Sequence, residues 1–161
     1  MKTLNLSCII IFSISLIFIQ CKTTTQLVNE EAFQLTYNSP TEKITIKDNI
    51  FYHQHTQHHF APQSVSSIPD SSSTSIIHQA TEIPKTEISI LKDMIHNNHF
   101  YKLKDAYGAS SSERYYPYSL NISEGKKSKT VIFRSNPDKE KAPKAFTEIQ
   151  NKILQLSKKL K

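Results

Sequence analysis

The chain has 161 residues, a formal charge of +6, and only two glycines and two cysteines. That length suits one domain behind a leader. So few glycines exclude a glycine-rich phosphate cradle, and so few cysteines exclude a disulfide framework. The charge is uneven: Lys126 to Lys161 carries eleven Lys or Arg against three acids, whereas Cys21 to Gly125 carries eight against eleven. A basic end of this kind meets nucleic acid, anionic lipid or an acidic partner, or is the solvated face of a helix. The solvated face is the reading taken here, and no nucleic-acid partner is expected of an exported chain.

The export reading comes from the first residues. Lys2 precedes an apolar run from Cys8 to Ile19 that only Ser13 and Ser15 interrupt. A short positive region before a compact apolar core is the pattern of a secretory signal. The run is shorter than the roughly 20 residues a membrane-spanning helix needs. Ile17-Phe18-Ile19-Gln20-Cys21 then turns polar at Lys22, which resembles a lipobox. That resemblance implies cleavage after Gln20 and acyl chains on Cys21. An uncleaved signal anchor and an ordinary cleaved signal are the competing readings; no Ala-x-Ala site supports the second. Residues 1–20 are therefore expected as signal peptide, 21–31 as polar tether and 32–161 as one domain. An acylated Cys21 would be the mature chain's one cysteine, leaving no thiol for catalysis.

Within the domain, Phe33-Gln34-Leu35-Thr36-Tyr37 alternates apolar and polar, as a half-buried strand does. Asn38-Ser39-Pro40 turns it. Lys43 to Lys47 alternates again, Asp48-Asn49 makes a tight turn, and Ile50 to His53 returns as the second arm of a hairpin. Pro62 to Ser75 is rich in serine, a composition unable to bury a core, and reads as a flexible loop. Ile76-Ile77-His78 is a candidate short strand. Thr86 is placed to cap a helix from Glu87 to about Asn97, with Ile88, Leu91 and Ile95 on one face and Asn97-Asn98 as its left-handed end. Gly108 to Glu113 is a second Ser-rich loop. Tyr116 to Ile122 and Thr130 to Phe133 form a second hairpin around Glu124-Gly125-Lys126. Pro143 opens a last helix with Phe146, Ile149, Ile153, Leu156 and Leu160 as its stripe. The expected fold is α+β: a small, mainly antiparallel sheet of two hairpins, with two helices packed on one face.

Several of these segments carry a resemblance. Phe100-Tyr101-Lys102-Leu103, Tyr118 to Ile122, Thr130 to Phe133 and Ala142-Pro143-Lys144-Ala145-Phe146 together resemble the C-terminal half of emfourin-type domains, which inhibit thermolysin-like metalloproteases. They are also similar to an exported bacterial family of unknown function, whose opening Cys-x-x-x-Cys-Pro-x-Tyr hairpin this chain lacks. The resemblance covers about half of the mature chain. It implies a fold and, as one reading, protease inhibition, but transfers no inhibitory residue, because the matching positions are packing positions.

The strongest chemical signal is histidine. His53, His55, His58 and His59 place four imidazoles within seven residues, and neutral imidazole holds Zn or Cu well. On a strand His53 and His55 share a face. His96 and His99 make a second pair, expected on one face of a helix end. A metal site and a solvated polar hairpin end both fit this pattern; no acid lies inside the first cluster. Tyr115 and Tyr116 suit an interaction patch, against the alternative that Tyr116 and Tyr118 face the core while Tyr115 covers an edge. No His-Glu-x-x-His helix, Gly-x-Ser-x-Gly elbow or structured carboxylate pair is present, so no enzyme activity and no obligate cofactor is expected. The expectation is an envelope lipoprotein, anchored to the outer membrane through Cys21, that binds a protein or envelope component. The alternatives are metal binding by the histidine cluster and protease inhibition by resemblance.

Overall fold

The computed structural model describes residues 32–60 and 69–160. The leader, Cys21, the tether and much of the Ser-rich segment lie outside the described residues, so their readings stand on sequence alone. Asp48 and Asn49 both take positive φ, 49° and 66°, as a two-residue type I′ hairpin turn requires. The turn joins β2 (Glu42–Lys47) to β3 (Ile50–His59), and β1 (Phe33–Asn38) lies on the other side of β2. Next come β4 (Ser71–Glu82), α1 (Lys85–Asn97), a 3₁₀ turn (Phe100–Lys102), β5 (Ala106–Gly108), β6 (Tyr116–Glu124), β7 (Lys127–Ser135) and α2 (Lys144–Lys159).

The seven strands form one mixed sheet in the order β4-β3-β2-β1-β6-β7-β5. The fold is α+β, but the expected small sheet of two hairpins is overturned. Two findings enlarge it. First, β1 pairs antiparallel with β6, from Phe33 opposite Glu124 to Asn38 opposite Ser119, which fuses the two hairpin regions. Second, Ser71 to Ser75 is not loop: it pairs with His59 to His55, lengthening β3 and extending the candidate strand at Ile76 into β4. A serine strand buries little, so composition does not announce it; its backbone hydrogen bonds come from β3. Short β5, parallel to β7, makes the sheet mixed.

Alternation sets the two faces of the sheet. Phe33, Leu35, Tyr37, Ile44, Ile46, Phe51, Leu120, Ile122 and Val131 are buried on one face, where both helices pack their expected stripes: Ile88, Leu91 and Ile95 of α1, and Phe146, Ile149, Ile153 and Leu156 of α2. The opposite face carries Gln34, Lys43, Thr45, Tyr52, Gln54 and Asn121.

Helix starts differ from expectation by a residue or two. Pro84, not Thr86, occupies the N-cap of α1 without a side-chain cap bond, and Pro143 is the N-cap of α2. Proline suits both places because it lacks the N–H that a helix start leaves unpaired. The left-handed residue after α1 is His99, with φ 52°, not Asn97 or Asn98.

Candidate functional site

Two places combine polar chemistry with space. The first is a cleft where the end of α2 meets β2, β3 and β4. It has a volume of about 270 Å³ and is lined by Glu42, His53, His55, Ile77, Leu154, Ser157 and Lys158. The hairpin register places Glu42 directly opposite His55, and Ile44 opposite His53. One Glu42 oxygen accepts a short hydrogen bond from His53 Nε2; the other accepts from His55 Nδ1 at 2.8 Å. A carboxylate can only accept, so His53 carries its proton on Nε2, and its Nδ1 accepts from the Ser157 hydroxyl at 2.7 Å. His78 Nε2 donates to the Ser157 carbonyl at 3.0 Å, and its ring stacks on His53 at 6.0 Å. His53, His78 and Ser157 are all buried. Together they form a polar seam fastening α2 to the sheet.

The second place is a groove of about 330 Å³ at the far end of the sheet, lined by Asn38, Ser39, Tyr115, Pro117, Ser119, Ile132 and Arg134 among others. Pro117, Ser119, Ile132 and Arg134 share the parity of the open face. The Arg134 guanidinium sits over the Tyr115 ring, 5.8 Å from its centroid, a cation–π arrangement. Asn38 Nδ2 donates to Ser119 Oγ at 3.2 Å. The rim is held from behind: Asn136 Nδ2 donates to the Arg114 carbonyl at 3.1 Å, and Lys139 pairs with Glu113 at 2.6 Å. The Lys139 ammonium, with the Ser110 amide and hydroxyl, pulls the Glu113 carboxyl down to about 2. The Ser-rich loop before Tyr115 is thus pinned at its acidic end.

The structure divides the histidines that the sequence groups together. His53 and His55 share the helix side of β3, as alternation requires. His58 has the opposite parity and bonds to the Pro40 carbonyl at 3.1 Å; His59 bonds to Ser73 Oγ at 2.9 Å. The acid missing from the cluster comes from β2, but Glu42 gives each oxygen to a different ring. It therefore separates the two imidazole nitrogens instead of letting them converge, and Lys158 adds a cation to the lining. Among the described residues no group of three or more His, Cys, Asp or Glu side chains is placed to hold a metal ion. His96 and His99 do not pair on a helix face, because α1 ends at Asn97; His96 bonds to Glu124 at 2.7 Å instead. Tyr115 and Tyr116 also part: Tyr115 lines the groove, while Tyr116 is 61% exposed beyond the helices. Tyr118 packs on Phe133 at 6.2 Å.

Sequence reasoning missed Glu42, His78, Ser157 and Arg134. Only Glu42 left a usable signal: a two-residue turn at Asp48-Asn49 pairs Lys47 with Ile50 and, counting outward, Glu42 with His55. The residues that carry the emfourin resemblance, Phe100, Leu120, Ile122, Val131 and Phe146, are all core. No family model, no curated protein and no solved structure matches the chain.

Proposed function

We propose that this chain is a bacterial envelope lipoprotein, held at the outer membrane by an acylated Cys21, whose domain binds a protein or envelope component at the Tyr115–Arg134 groove and catalyses no reaction. The observation that carries the reading is the aromatic–guanidinium pair on a sheet face that neither helix packs against. Tyr and Arg supply much of the binding energy in interfaces because they join large rigid area to directional donors. Asn38, Ser39 and Ser119 add polar groups along the same groove. Such a lining accepts a partner that brings a carboxylate to Arg134 and an apolar or ring surface to Tyr115. No helix among the described residues is long and apolar enough to cross a membrane; the anchor in this reading is Cys21.

The test is photo-crosslinking in the native cell from a reactive side chain at Asn121, on the open face two residues from Ser119 of the groove. A discrete captured species is expected, falling about tenfold or more when Tyr115→Ala and Arg134→Ala are combined. Lys47→Ala, on the open face at the opposite end of β2, should leave capture intact. Equal capture by the double variant, or turnover of any substrate by the purified chain, would sink the proposal.

A further inference from the structure

β4 ends the sheet, and among the described residues no strand covers its outer side. An uncovered edge presents a row of N–H and C=O groups to any other extended chain. Natural proteins blunt such edges with lysine, proline, bulges or very short strands. β4 has twelve residues, and from Ser71 to Thr81 it carries no Lys, Arg, Asp, Glu or Pro. Its pairing with β3 is regular from Ser71 opposite His59 to Ile76 opposite Gln54. Irregularity begins just past Ile76, where the register shifts and Ala80 takes a φ of 51°. The unprotected edge is therefore the six residues Ser71–Ile76. Every side chain from Ser71 to Ile77 is exposed, Ile76 and Ile77 to 57% and 44%. Phe60, next to the far end of the same ribbon, is 52% exposed.

From this edge we infer that the chain forms a two-fold dimer, in which Ser71–Ile76 pairs antiparallel with the same segment of a second copy and the two sheets become one. A two-fold axis makes strand pairing antiparallel and reciprocal. The axis sets one residue opposite its own copy, so a pair centred on Thr74 puts Thr74 opposite Thr74, and Ser72 opposite Ile76, of the other copy. Three features favour a second copy over an unrelated peptide. The segment is uncharged, so no like charges face each other along the ladder. Antiparallel reciprocity brings the Ile76–Ile77 end of each copy to the Phe60 end of the other, gathering three of the large hydrophobic side chains that a single copy leaves in water. Small Ser and Thr side chains let two ribbons approach at ordinary strand spacing on both faces. About six backbone hydrogen bonds would close along such a ladder. Each copy carries a net charge of +6, so the dimer should tighten as added salt screens the repulsion. The inference does not depend on the groove.

Sedimentation equilibrium of the full chain in detergent, near 100 μM, tests it; at about that concentration even a micromolar pair is mostly formed. Wild type should sediment as a dimer, more tightly at higher salt. Ser73→Lys and Ile76→Lys should each give monomer with unchanged circular dichroism, and should melt like wild type once both are diluted to monomer. Tyr116→Lys, a charge on an exposed aromatic elsewhere, should remain dimeric. Backbone amides within Ser71–Ile76 should exchange more slowly as concentration rises. A wild-type monomer would overturn the inference. So would a dimer that survives both lysine variants, open-ended higher assembly, or amide exchange indifferent to concentration.

Discussion

Glu87 is a buried carboxylate held between two lysines, Lys152 at 2.7 Å and Lys159 at 2.6 Å, and it ties the start of α1 to the far half of α2. Hydrogen bonds from Lys152 and Lys159 pull it from an ordinary 4.5 down to about 2. A carboxyl whose folded value is depressed contributes stability that is complete above its unfolded value and disappears as pH falls through the folded one. Glu87→Gln should therefore cost about 1–2 kcal/mol at neutral pH, discounted for the solvent around exposed Lys159. The difference between wild type and variant should shrink between pH 4.5 and about 2. Urea melts across that range check it; a difference independent of pH would show that the ion pairs add nothing.

Ser157 acts at the same scale. Its hydroxyl is the donor that satisfies buried His53 Nδ1. Ser157→Ala removes the donor and adds no bulk, leaving a buried acceptor unpaired at a cost of about 1–3 kcal/mol. The urea midpoint should fall with the slope unchanged. A loss below about 0.5 kcal/mol, the ordinary scatter for surface changes, would mean that the seam is not structural. Neither residue was legible as part of a site. Ser157 lies in a lysine-rich stretch whose only visible pattern is the helix stripe, and Glu87 looks like any acid in a first helical turn. Long-range partners decide both, and a pattern read locally holds no record of them.

At the scale of elements, legibility followed burial. The stripes of both helices and the strands at Phe33–Tyr37, Lys43–Lys47 and Tyr116–Ile122 show in the sequence because alternate or every third-to-fourth residue must leave water. The serine half of β4 and all of β5 did not show, since their contribution to the fold is backbone pairing more than side-chain burial. β5 illustrates how little side chain such pairing needs. Gly108 has a φ of +86°, and a Cβ there would lie 2.2 Å from the Arg134 carbonyl oxygen. That same oxygen accepts the Ala109 amide at 2.9 Å. Gly108→Ala must move β5 away from β7, at a cost of about 1–3 kcal/mol. Because β7 carries Arg134, the variant should also weaken capture at the groove, whereas Ser157→Ala, at the other end of the sheet, should not. Thermal melts and the crosslinking yield separate these outcomes; a Gly108→Ala chain with unchanged melting would mean that β5 docks without the close approach.

At the scale of the whole molecule, the proposed anchor at Cys21 would set where the proposed groove works. Lys22 to Glu31 is ten residues, which fully extended reach at most about 33–36 Å. A partner bound at the groove would then be recruited close to the membrane surface. One acyl chain holds a protein only reversibly, whereas two or more hold it stably, so the proposal requires a multiply acylated N-terminus. Intact mass of the membrane-extracted protein should correspond to a chain beginning at Cys21 plus acyl groups. Cys21→Ser should leave the protein unacylated and shift it out of the outer-membrane fraction. The variant's domain should melt like wild type, since the core is built from Phe33 to Leu156. An unmodified Cys21, or a retained Met1, would remove the anchor and with it the membrane half of the proposed function, while leaving the groove and the β4 edge to be judged by their own experiments.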